Sequence, residues 1–399
     1  MKAAVIGLGI GMAHVSGYLK HPEAELVAVA DKWAPRRAKV GGTFEQGAMG
    51  VLRPLFLPPF FQENFLENTW EEIGVRVYED ASEIARDPEI ELVSLCTPDD
   101  THEELAIMLL EAGKHLILEK PLALTLDGAR RVEKAAKTAG KRLLVGYEFR
   151  VNPAVQKLKD LVDQGSLGRI RAFTLYHFRQ AFRRNKWENW IQQKSRSGGL
   201  IVEETCHWFD LLRYLTGSEV ESLVCHGVDD IYQDFDFEDL AFIQGRMIDG
   251  GIFQISHSLT GHDFSLVIQL HGTKGTAWCG LKEEEYSSLD GGSASFSGIV
   301  SFGSPGSLPE QAQVQTWGEE ATEPFNIEEC VKISVDAIHA NKPGPAQWID
   351  GYKSLEISLA ARESFENRST EKIIQHEIRS SPAGLGGVVT SGKNGQFNT

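Results

Sequence analysis

The chain opens with a short apolar run that passes directly into a glycine-rich turn. Residues Ala3–Ile6 have the length and composition of a buried strand, and Val15–Lys20 beyond the turn have helical character. The turn itself contains Gly7, Gly9 and Gly11. Glycines at a strand-to-helix junction permit a tight turn and let backbone amides approach a pyrophosphate at the helix N-terminus. The segment therefore predicts a dinucleotide-binding loop beside the first strand of a parallel α/β sheet.

The spacing of these glycines departs from the usual Gly-x-Gly-x-x-Gly pattern. Gly7 and Gly9 fit the pattern, but its sixth position is Met12 and the third glycine comes one residue early, at Gly11. A glycine loop alone is weak evidence, because structural turns also use glycine. Given the strand before the loop and the helix after it, we assign Gly7, Gly9, Ile10 and Gly11 to the cofactor site.

An acidic residue ends the next apolar run, Leu26–Asp31, about 20 residues beyond the glycines. A carboxylate there would accept hydrogen bonds from both ribose hydroxyls of NAD and would repel the 2′-phosphate of NADP. The 2′-phosphate could instead be bound by the cations that follow closely, which are Lys32, Arg36 and Arg37. We expect NAD rather than NADP. The alternative role for Asp31 is a helix N-cap.

Apolar runs and helical segments alternate through about residue 150, which is the pattern of a doubly wound parallel sheet. From Gly168 onward, successive strand-like runs separated by turn residues indicate a mostly antiparallel sheet. A chain of 399 residues is also too long for one ordinary core. We expect a dinucleotide-binding domain over 1–150, a second domain with a large open sheet over 151–370, and a flexible tail over 380–399.

An apolar insert at 41–72 interrupts this pattern. It contains Pro54, Pro58 and Pro59, and proline at this density precludes a regular helix or a central strand. Long irregular inserts usually cover an active site or contact another subunit. The sequence does not distinguish these two roles.

The apolar run His115–Glu119 is predicted to be an inner strand, and it ends abruptly at Lys120 and Pro121. Ligands bind at the carboxyl edge of open parallel sheets, so Lys120 would lie at the ligand-binding edge. The alternative is a solvated lysine at a strand end. A second turn at this edge contains Thr97, Pro98 and His102, which suits the nicotinamide ribose. To the cofactor site we therefore add Thr97, Pro98, His102, Glu119 and Lys120.

These motifs, together with Tyr147–Pro153, resemble those of the Gfo/Idh/MocA oxidoreductases. The resemblance continues through Gly198–Asp210, with the pattern Gly-Gly-x-x-x-acid-x-x-x-His-x-x-Asp, and covers essentially residues 1–370. It implies a Rossmann domain, a C-terminal domain with an open sheet, and nicotinamide-dependent chemistry on sugars or cyclitols. It also implies that Lys120 and His207 belong to the active site. The acid four residues before the histidine is usually Asp and is Glu203 here, which has a longer side chain.

The residue types agree with such chemistry. Oxidising an alcohol by hydride loss requires a base for the proton, and imidazole titrates near neutral pH. Glu203 and His207 lie four residues apart and would share one face of a helix. Lys120 would stabilise the developing alkoxide, and burial could lower the pKa of its amine. The predicted catalytic residues are Lys120, His207 and Glu203; the alternative for His207 is a hydrogen-bonded core histidine.

Substrate contacts are predicted from both halves of the chain. Tyr147 and Arg150 follow the last strand of the first domain, and the loop 179–196 of the second domain combines tryptophans with clustered cations. Tryptophan could stack on a sugar ring, and the cations could bind an anionic substituent or form a solvated surface cluster. The predicted substrate-binding residues are Tyr147, Arg150, Trp187, Trp190, Lys194 and Arg196.

Composition restricts the partners. A net charge of -16 argues against a nucleic-acid or membrane surface. The five cysteines form no metal-binding pattern, no metal is expected, and reduced thiols are typical of a cytoplasmic protein. The N-terminus lacks the features of a signal peptide. An open sheet suits a homodimer or homotetramer.

The sequence thus predicts an NAD-dependent oxidoreductase acting on a hydroxyl of a sugar, sugar acid or cyclitol. One alternative is an NAD-dependent glycosidase that works by transient oxidation and elimination and would accept an anionic sugar. Another is a binding or regulatory protein that keeps the cofactor fold without chemistry.

Overall fold

The computed structural model describes most of the chain: residues 1–38, 40, 68–181, 187–283, 296–304, 306, 311, 313–317 and 326–373. The insert expected at 41–72 lies outside these ranges apart from 68–72, and the tail expected at 380–399 lies outside them entirely. Within the described ranges, no helix is long and apolar enough to cross a membrane.

Six parallel strands form the sheet of the N-terminal half. They are β1 (Lys2–Ile6), β2 (Glu25–Ala30), β3 (Arg76–Tyr78), β4 (Leu92–Leu95), β5 (His115–Glu119) and β6 (Leu143–Gly146). Their order is β3-β2-β1-β4-β5-β6, and every neighbouring pair is parallel. The predicted strands are therefore present, and apolar side chains pack on both faces of the sheet.

Helices alternate with these strands. They are Gly11–Leu19, Ala34–Ala38, Ala81–Arg86, His102–Glu111 and Leu126–Ala139, with 3-10 turns at Glu71–Ile73 and Asp99–Thr101. The strand order reverses between β1 and β4, so the connections leave on opposite faces and a crevice opens at the carboxyl ends of the strands. The glycine turn, the turn with Thr97 and the segment with Lys120 all begin at this edge.

Nine strands form the second sheet. They are β7 (Ile170–Gln180), β8 (Val220–Val228), β9 (Leu240–Met247), β10 (Ile252–Ser258), β11 (Thr260–Gly272), β12 (Thr276–Glu283), β13 (Phe296–Gly303), β14 (Gln313–Trp317) and β15 (Thr370–Lys372). Their order is β14-β13-β12-β11-β7-β10-β9-β8-β15. The pair β7 and β10 is parallel, and the other pairs are antiparallel, as predicted. The sequence did not indicate β13, β14 or β15.

Short helices connect the two sheets and cover one face of the second. They are the 3-10 turn Glu148–Val151, Pro153–Asp163, the 3-10 segment Trp187–Gln192, Lys194–Ser197, Gly199–Glu203 and Thr205–Thr216. Asn152 caps the second of these by accepting hydrogen bonds from the amides of Ala154 and Val155.

The two last helices, Ile327–His339 and Trp348–Asn367, return to the N-terminal half. In the first, Glu328 accepts a hydrogen bond from the Ser16 hydroxyl at 2.8 Å. In the second, the Trp348 indole donates to the Ala129 carbonyl at 2.9 Å. These contacts tie the C-terminal helices to the dinucleotide-binding half, so both sheets frame one crevice.

Candidate active site

The glycine turn is shaped by close backbone packing. Gly7 has φ +88°, and a Cβ at this position would lie 2.3 Å from the Cys96 carbonyl oxygen. Gly11 is the first residue of the helix, where a Cβ would lie 2.9 Å from Val5 Cγ1. The early third glycine therefore does what the usual third glycine does, which is to let the helix pack closely on the first strand. The turn fits a pyrophosphate cradle.

Substitution of Gly7 by alanine is expected to abolish measurable NAD binding, because the new methyl group collides with the Cys96 carbonyl and the turn must move. Isothermal titration calorimetry with NAD would measure the loss. Gly74→Ala is the matched control, since Gly74 also has a positive φ of +78° but has nothing within 4 Å of its Cβ position. Equal NAD affinity in the two variants would contradict the cradle.

Asp31 lies where the second strand ends and is buried. Its carboxylate accepts hydrogen bonds from the amides of Leu8 at 2.7 Å and Trp33 at 2.8 Å, and Arg36 Nη1 lies 3.5 Å away. Arg37 donates instead to backbone carbonyls and to Glu79. Asp31 is therefore a hydrogen-bond acceptor held against the glycine turn, which fits a ribose site.

The turn after β4 is linked to the segment after β5 through His102. This fully buried ring lies with Nδ1 2.7 Å from the Pro121 carbonyl oxygen and Nε2 3.0 Å from the Thr97 carbonyl oxygen. Burial lowers the pKa of His102, so the neutral ring donates to one of these oxygens. The predicted cofactor residues Thr97, Pro98 and His102 are thus brought together, with His102 holding the two turns in place.

Glu119 lies in a buried polar network that the sequence analysis missed. Its Oε1 is 2.9 Å from Nε2 of His14, whose Nδ1 is 2.9 Å from the Ser94 hydroxyl. The Tyr18 hydroxyl completes the network at 2.7 Å from Ser94. These residues come from the first helix, β4 and β5, so the network fixes the helix behind the glycine turn to the strand that carries Lys120. No sequence spacing marks it.

Lys120 reaches across the crevice to the second half of the chain. Its Nζ donates to the backbone carbonyl of Glu203 and to Glu203 Oε1, each at 2.8 Å. Burial lowers the pKa of Lys120, but the attraction of Glu203 and Asp99 outweighs this and raises it above its ordinary value. The expectation of a lowered pKa is therefore wrong, because it omitted the carboxylate partner. Lys120 acts as a permanent cation.

His207 lies beside this pair and is buried. Burial and the nearby Lys120 cation hold its pKa well below the ordinary value, so the imidazole is neutral. Its Nδ1 is buried, 3.7 Å from Glu148 Oε2, and the rings of Tyr147 and Phe149 pack edge-on against it. A cation and a neutral base, contributed by the two halves of the chain, thus lie within electrostatic range of each other at the crevice.

The helix expected to carry Glu203 and His207 on one face is interrupted. The structure divides this stretch into Gly199–Glu203 and Thr205–Thr216, with Glu204 at the break. The four-residue spacing therefore does not place the two side chains together by helical geometry. Glu203 instead pairs with Lys120, and the break turns Glu204 toward the second sheet.

Comparisons with known proteins agree with this arrangement. Residues 1–147 match the family model "Oxidoreductase family, NAD-binding Rossmann fold", and residues 155–278 match "GFO/IDH/MocA C-terminal domain". The chain belongs to the Gfo/Idh/MocA oxidoreductase family. The predicted family, fold class, oxidoreductase activity and NAD cofactor are thereby confirmed.

Two curated relatives of this Gfo/Idh/MocA protein are similar over nearly its whole length. The scyllo-inositol 2-dehydrogenase (NAD(+)) of Bacillus subtilis is 27% identical over 380 residues, covering 92% of this chain and 94% of the relative. The myo-inositol 2-dehydrogenase of Thermotoga maritima is 25% identical over 379 residues, covering 94% and 98%. A solved levoglucosan dehydrogenase in complex with NADH and levoglucosan has the same fold, with TM-score 0.72 and 22% identity over 94% of this chain and 100% of that one.

Two residues predicted to bind substrate, Tyr147 and Arg150, are buried in the Gfo/Idh/MocA structure. Arg150 donates to both oxygens of Asp210, at 2.7 and 2.6 Å, and to the Pro345 carbonyl, and it pairs with Asp350 at 2.9 Å. Tyr147 is 1% exposed and packs against His207. The structure places Arg150 in a buried ion-pair network and Tyr147 against the His207 ring, and their contact with substrate stays a prediction.

Two cations of the basic loop that were predicted to contact substrate are paired with carboxylates of the protein. Arg196 bridges Asp100 at 2.9 Å and Glu188 at 3.0 Å, and Lys194 pairs with Glu366. Lys194 and Arg196 are thus both paired with carboxylates. Through Asp100, Arg196 also joins the loop to the turn after β4. Trp190 is half-buried, and the side chain of Trp187 lies outside the described residues.

A buried carboxyl group supports the short helix that carries Glu203. Glu238 Oε1 accepts a hydrogen bond from the Ile201 amide at 2.7 Å, and burial raises the pKa of Glu238 to about 7 from an ordinary value of 4.5. When a carboxyl group has a higher pKa in the folded protein than in the unfolded chain, the free energy of unfolding falls as the pH rises, because the unfolded chain ionises first. Stability should therefore fall between about pH 4.5 and 7.

Glu238→Gln is expected to remove this pH dependence, since glutamine keeps the acceptor for the Ile201 amide and cannot ionise. The variant should gain about 3 kcal/mol over the wild type between pH 5 and pH 8. Urea unfolding at both pH values would measure this, with the exposed Glu221→Gln as control. If the variant and the wild type show the same change in the free energy of unfolding between the two pH values, Glu238 does not hold a proton in the folded protein at pH 5.

Proposed function

We propose that this protein is an NAD-dependent dehydrogenase that oxidises a hydroxyl group of a neutral cyclitol or sugar. The observation that carries the proposal is the convergence of the Lys120 cation and the neutral His207 base at the carboxyl edge of the dinucleotide-binding sheet. Alcohol oxidation requires stabilisation of the negative charge that develops on the oxygen and removal of its proton. Lys120 meets the first requirement and His207 the second.

Bound NAD supplies the hydride acceptor. The three N–H groups of Lys120 are divided, because two donate to Glu203 and the third remains for a substrate oxygen. Glu203 thus orients the amine and keeps it charged, which gives this longer acid a positioning role. Nδ1 of His207 is buried, so Nε2 is the atom that accepts the substrate proton. The side chains of Lys120 and His207 are only 14% and 6% exposed, and this partial exclusion of water strengthens their electrostatic effect.

The substrate class is argued from the charges that surround the crevice. Arg179, Lys194 and Arg196 of the basic loop are paired with Glu204, Glu366 and Asp100 respectively. Among the cations of this loop that the structure describes, each would bind an anionic substituent only by giving up a carboxylate, which favours a neutral polyol. Inositols are such compounds, and the two relatives similar over nearly the whole chain are named as inositol dehydrogenases.

The test is a substrate panel. Purified protein and NAD would be mixed with scyllo-inositol, myo-inositol, neutral sugars, sugar acids and sugar phosphates, and NADH formation followed by absorbance. The proposal expects NADH with a neutral cyclitol or sugar and little with the acids. NADH only with the anionic compounds would overturn the substrate class. Release of nitrophenol from an aryl glycoside without net NADH would instead establish the glycosidase reaction.

We also propose a homo-oligomer formed through the open face of the second sheet. Tyr176, Ser256 and Phe242 are register partners across β7, β10 and β9, so they lie in one row on the same face. Tyr176 and Phe242 are 41% and 51% exposed, and Ile252 on the same face is 53% exposed. An exposed apolar face of this kind fits the same face of a second copy.

Phe242→Glu is expected to reduce the mass measured by light scattering from that of the oligomer to that of the monomer, because the new charges would face each other across the interface. Lys137→Glu, on the exposed surface of helix Leu126–Ala139, is the control and should keep the oligomer. A wild-type monomer, or an unchanged mass in Phe242→Glu, would exclude this interface.

A further inference from the structure

Two histidines of the second sheet are aligned by strand register. His177 of β7 and His257 of β10 are direct partners on the parallel pair of strands, so their side chains point to the same face. Both are fully buried, and their rings lie 5.0 Å apart between centroids. Glu204, at the break between the two helices above this face, completes the group.

Each ring is oriented by the contact made by its Nδ1 atom. Nδ1 of His177 lies 3.1 Å from the Ser265 carbonyl oxygen, an acceptor, so Nδ1 carries a proton. Nδ1 of His257 lies 2.8 Å from the Thr205 hydroxyl, which also contacts the Leu200 carbonyl. With Nδ1 engaged in this way on both rings, Nε2 is the nitrogen of each ring that faces Glu204.

Glu204 is the third member and is ionised. Burial would raise the pKa of Glu204, but Arg179 at 2.5 Å from Oε1 and the two histidines hold it well below the ordinary value. Arg179 engages Oε1 and leaves Oε2, which is buried, 3.5 Å from Nε2 of His257. Nε2 of His177 is 3.7 Å from Oε1.

The two separations between a histidine Nε2 and a Glu204 oxygen, 3.5 and 3.7 Å, exceed the 2.7–3.2 Å of direct N–H···O hydrogen bonds. Ligand atoms about 2.0–2.1 Å from a tetrahedral zinc ion lie roughly 3.3–3.4 Å apart, and the three ligand atoms here lie within 4.8 Å of one another. Arg179 already pairs with Oε1 of Glu204, so Oε2 and the two Nε2 atoms are the ligand atoms that an ion would use.

We infer that His177, Glu204 and His257 form a binding site for a divalent metal ion of the zinc class. Two imidazoles and one carboxylate are a ligand set that Zn²⁺ uses, and a hydrogen bond from Nδ1–H to a carbonyl or hydroxyl is how metal-bound histidines are usually oriented. The site goes beyond the dehydrogenase function and does not depend on it.

The position of the site gives the ion a role. Glu204 lies between Glu203, which orients Lys120, and Thr205, which begins the helix that carries His207. An ion bound to Glu204 would fix the joint between these two short helices to the second sheet. It would thereby hold the catalytic cation and base in their relative positions as a structural ion.

The experiment measures the ion itself in the full-length protein. After chelator treatment and dialysis, Co²⁺ would be titrated and its visible d–d absorption followed, and zinc content would be measured by mass spectrometry after equilibration with Zn²⁺. One ion per chain is expected, with the stronger absorption of four-coordinate Co²⁺. Thermal unfolding should shift to higher temperature when the ion is added.

Matched variants locate the ion. Glu204→Gln and His257→Gln keep size and polarity and should weaken Co²⁺ binding about tenfold or more, while His226→Gln, at an exposed position on β8, should bind as the wild type does. Circular dichroism and NAD binding would show that the variants fold. Absence of a Co²⁺ band in the wild type, or an equal band in Glu204→Gln, overturns the site. Either result leaves the dehydrogenase proposal unchanged, because no activity is measured.

Discussion

Replacing Lys120 with methionine is expected to reduce kcat for NAD-dependent substrate oxidation by about 10³-fold, within the range that removal of a positioned charge or proton donor usually gives. Methionine has nearly the length of lysine but no charge, so the substrate oxygen would lose the donor that stabilises its developing negative charge. The Glu203 carboxylate would also lose its partner and remain buried near the reacting oxygen. Both changes raise the barrier to hydride loss.

The measurement is steady-state NADH formation with the best substrate of the panel, together with NAD affinity from calorimetry. We expect kcat to fall far more than NAD affinity, because the glycine turn and Asp31 remain intact. Lys120→Arg keeps the charge with a different shape and should retain part of the activity. Lys137→Met, on an exposed helix face, should have wild-type kcat. If kcat of the Lys120→Met enzyme is within a few-fold of the wild-type value, Lys120 does not take part in the chemical step.

The N-terminal half could be predicted well because its signals are local. Each inner strand of a parallel sheet is a continuous apolar run, and the glycine turn must follow the first of them. The third glycine comes one residue earlier than the usual pattern, but the prediction of a cofactor loop was unaffected. The helix begins at Gly11, and close packing on Val5 requires a glycine there. Local sequence was sufficient to place Asp31 and Lys120 at the same edge of the sheet.

The second half was harder because its important contacts join distant residues. The histidines at 177 and 257 lie in strands that pair in parallel within a mostly antiparallel sheet, and no spacing along the chain indicates that register. The break at Glu204 is likewise invisible to a spacing argument, because each side of it has good helical residues. Pairing of Lys120 with Glu203 depends on the relative placement of the two sheets.

Arg150 shows what residue type leaves out when substrate contacts are predicted. An arginine near a predicted pocket invites a substrate role, but a buried arginine must be paired, and its partners come from residues 210, 345 and 350. Burial raises the pKa of Asp210, and Arg150 is the main group that opposes this. The bidentate pair joins the 3-10 turn Glu148–Val151 to the helix that carries His207.

Arg150→Met is therefore expected to lower the free energy of unfolding by about 3–5 kcal/mol, the usual effect of leaving one charge of a buried pair without its partner. Asp210, 1% exposed, would have to bind a proton or admit water. Urea unfolding followed by circular dichroism would measure the loss. Arg142→Met is the control, because that guanidinium lies on the surface, where its contacts to Asn341 and Lys342 are exposed.

The double variant Arg150→Met with Asp210→Leu separates the structural role from a substrate role. Removing both charges eliminates the unpaired carboxylate, so stability should return to within about 1–2 kcal/mol of the wild type. If Arg150 acts only through this pair, activity should recover together with stability, since the helix that carries His207 is again held. Recovery of stability with activity still lost would mean that the guanidinium contacts the substrate, and the structural role assigned to Arg150 would be incomplete.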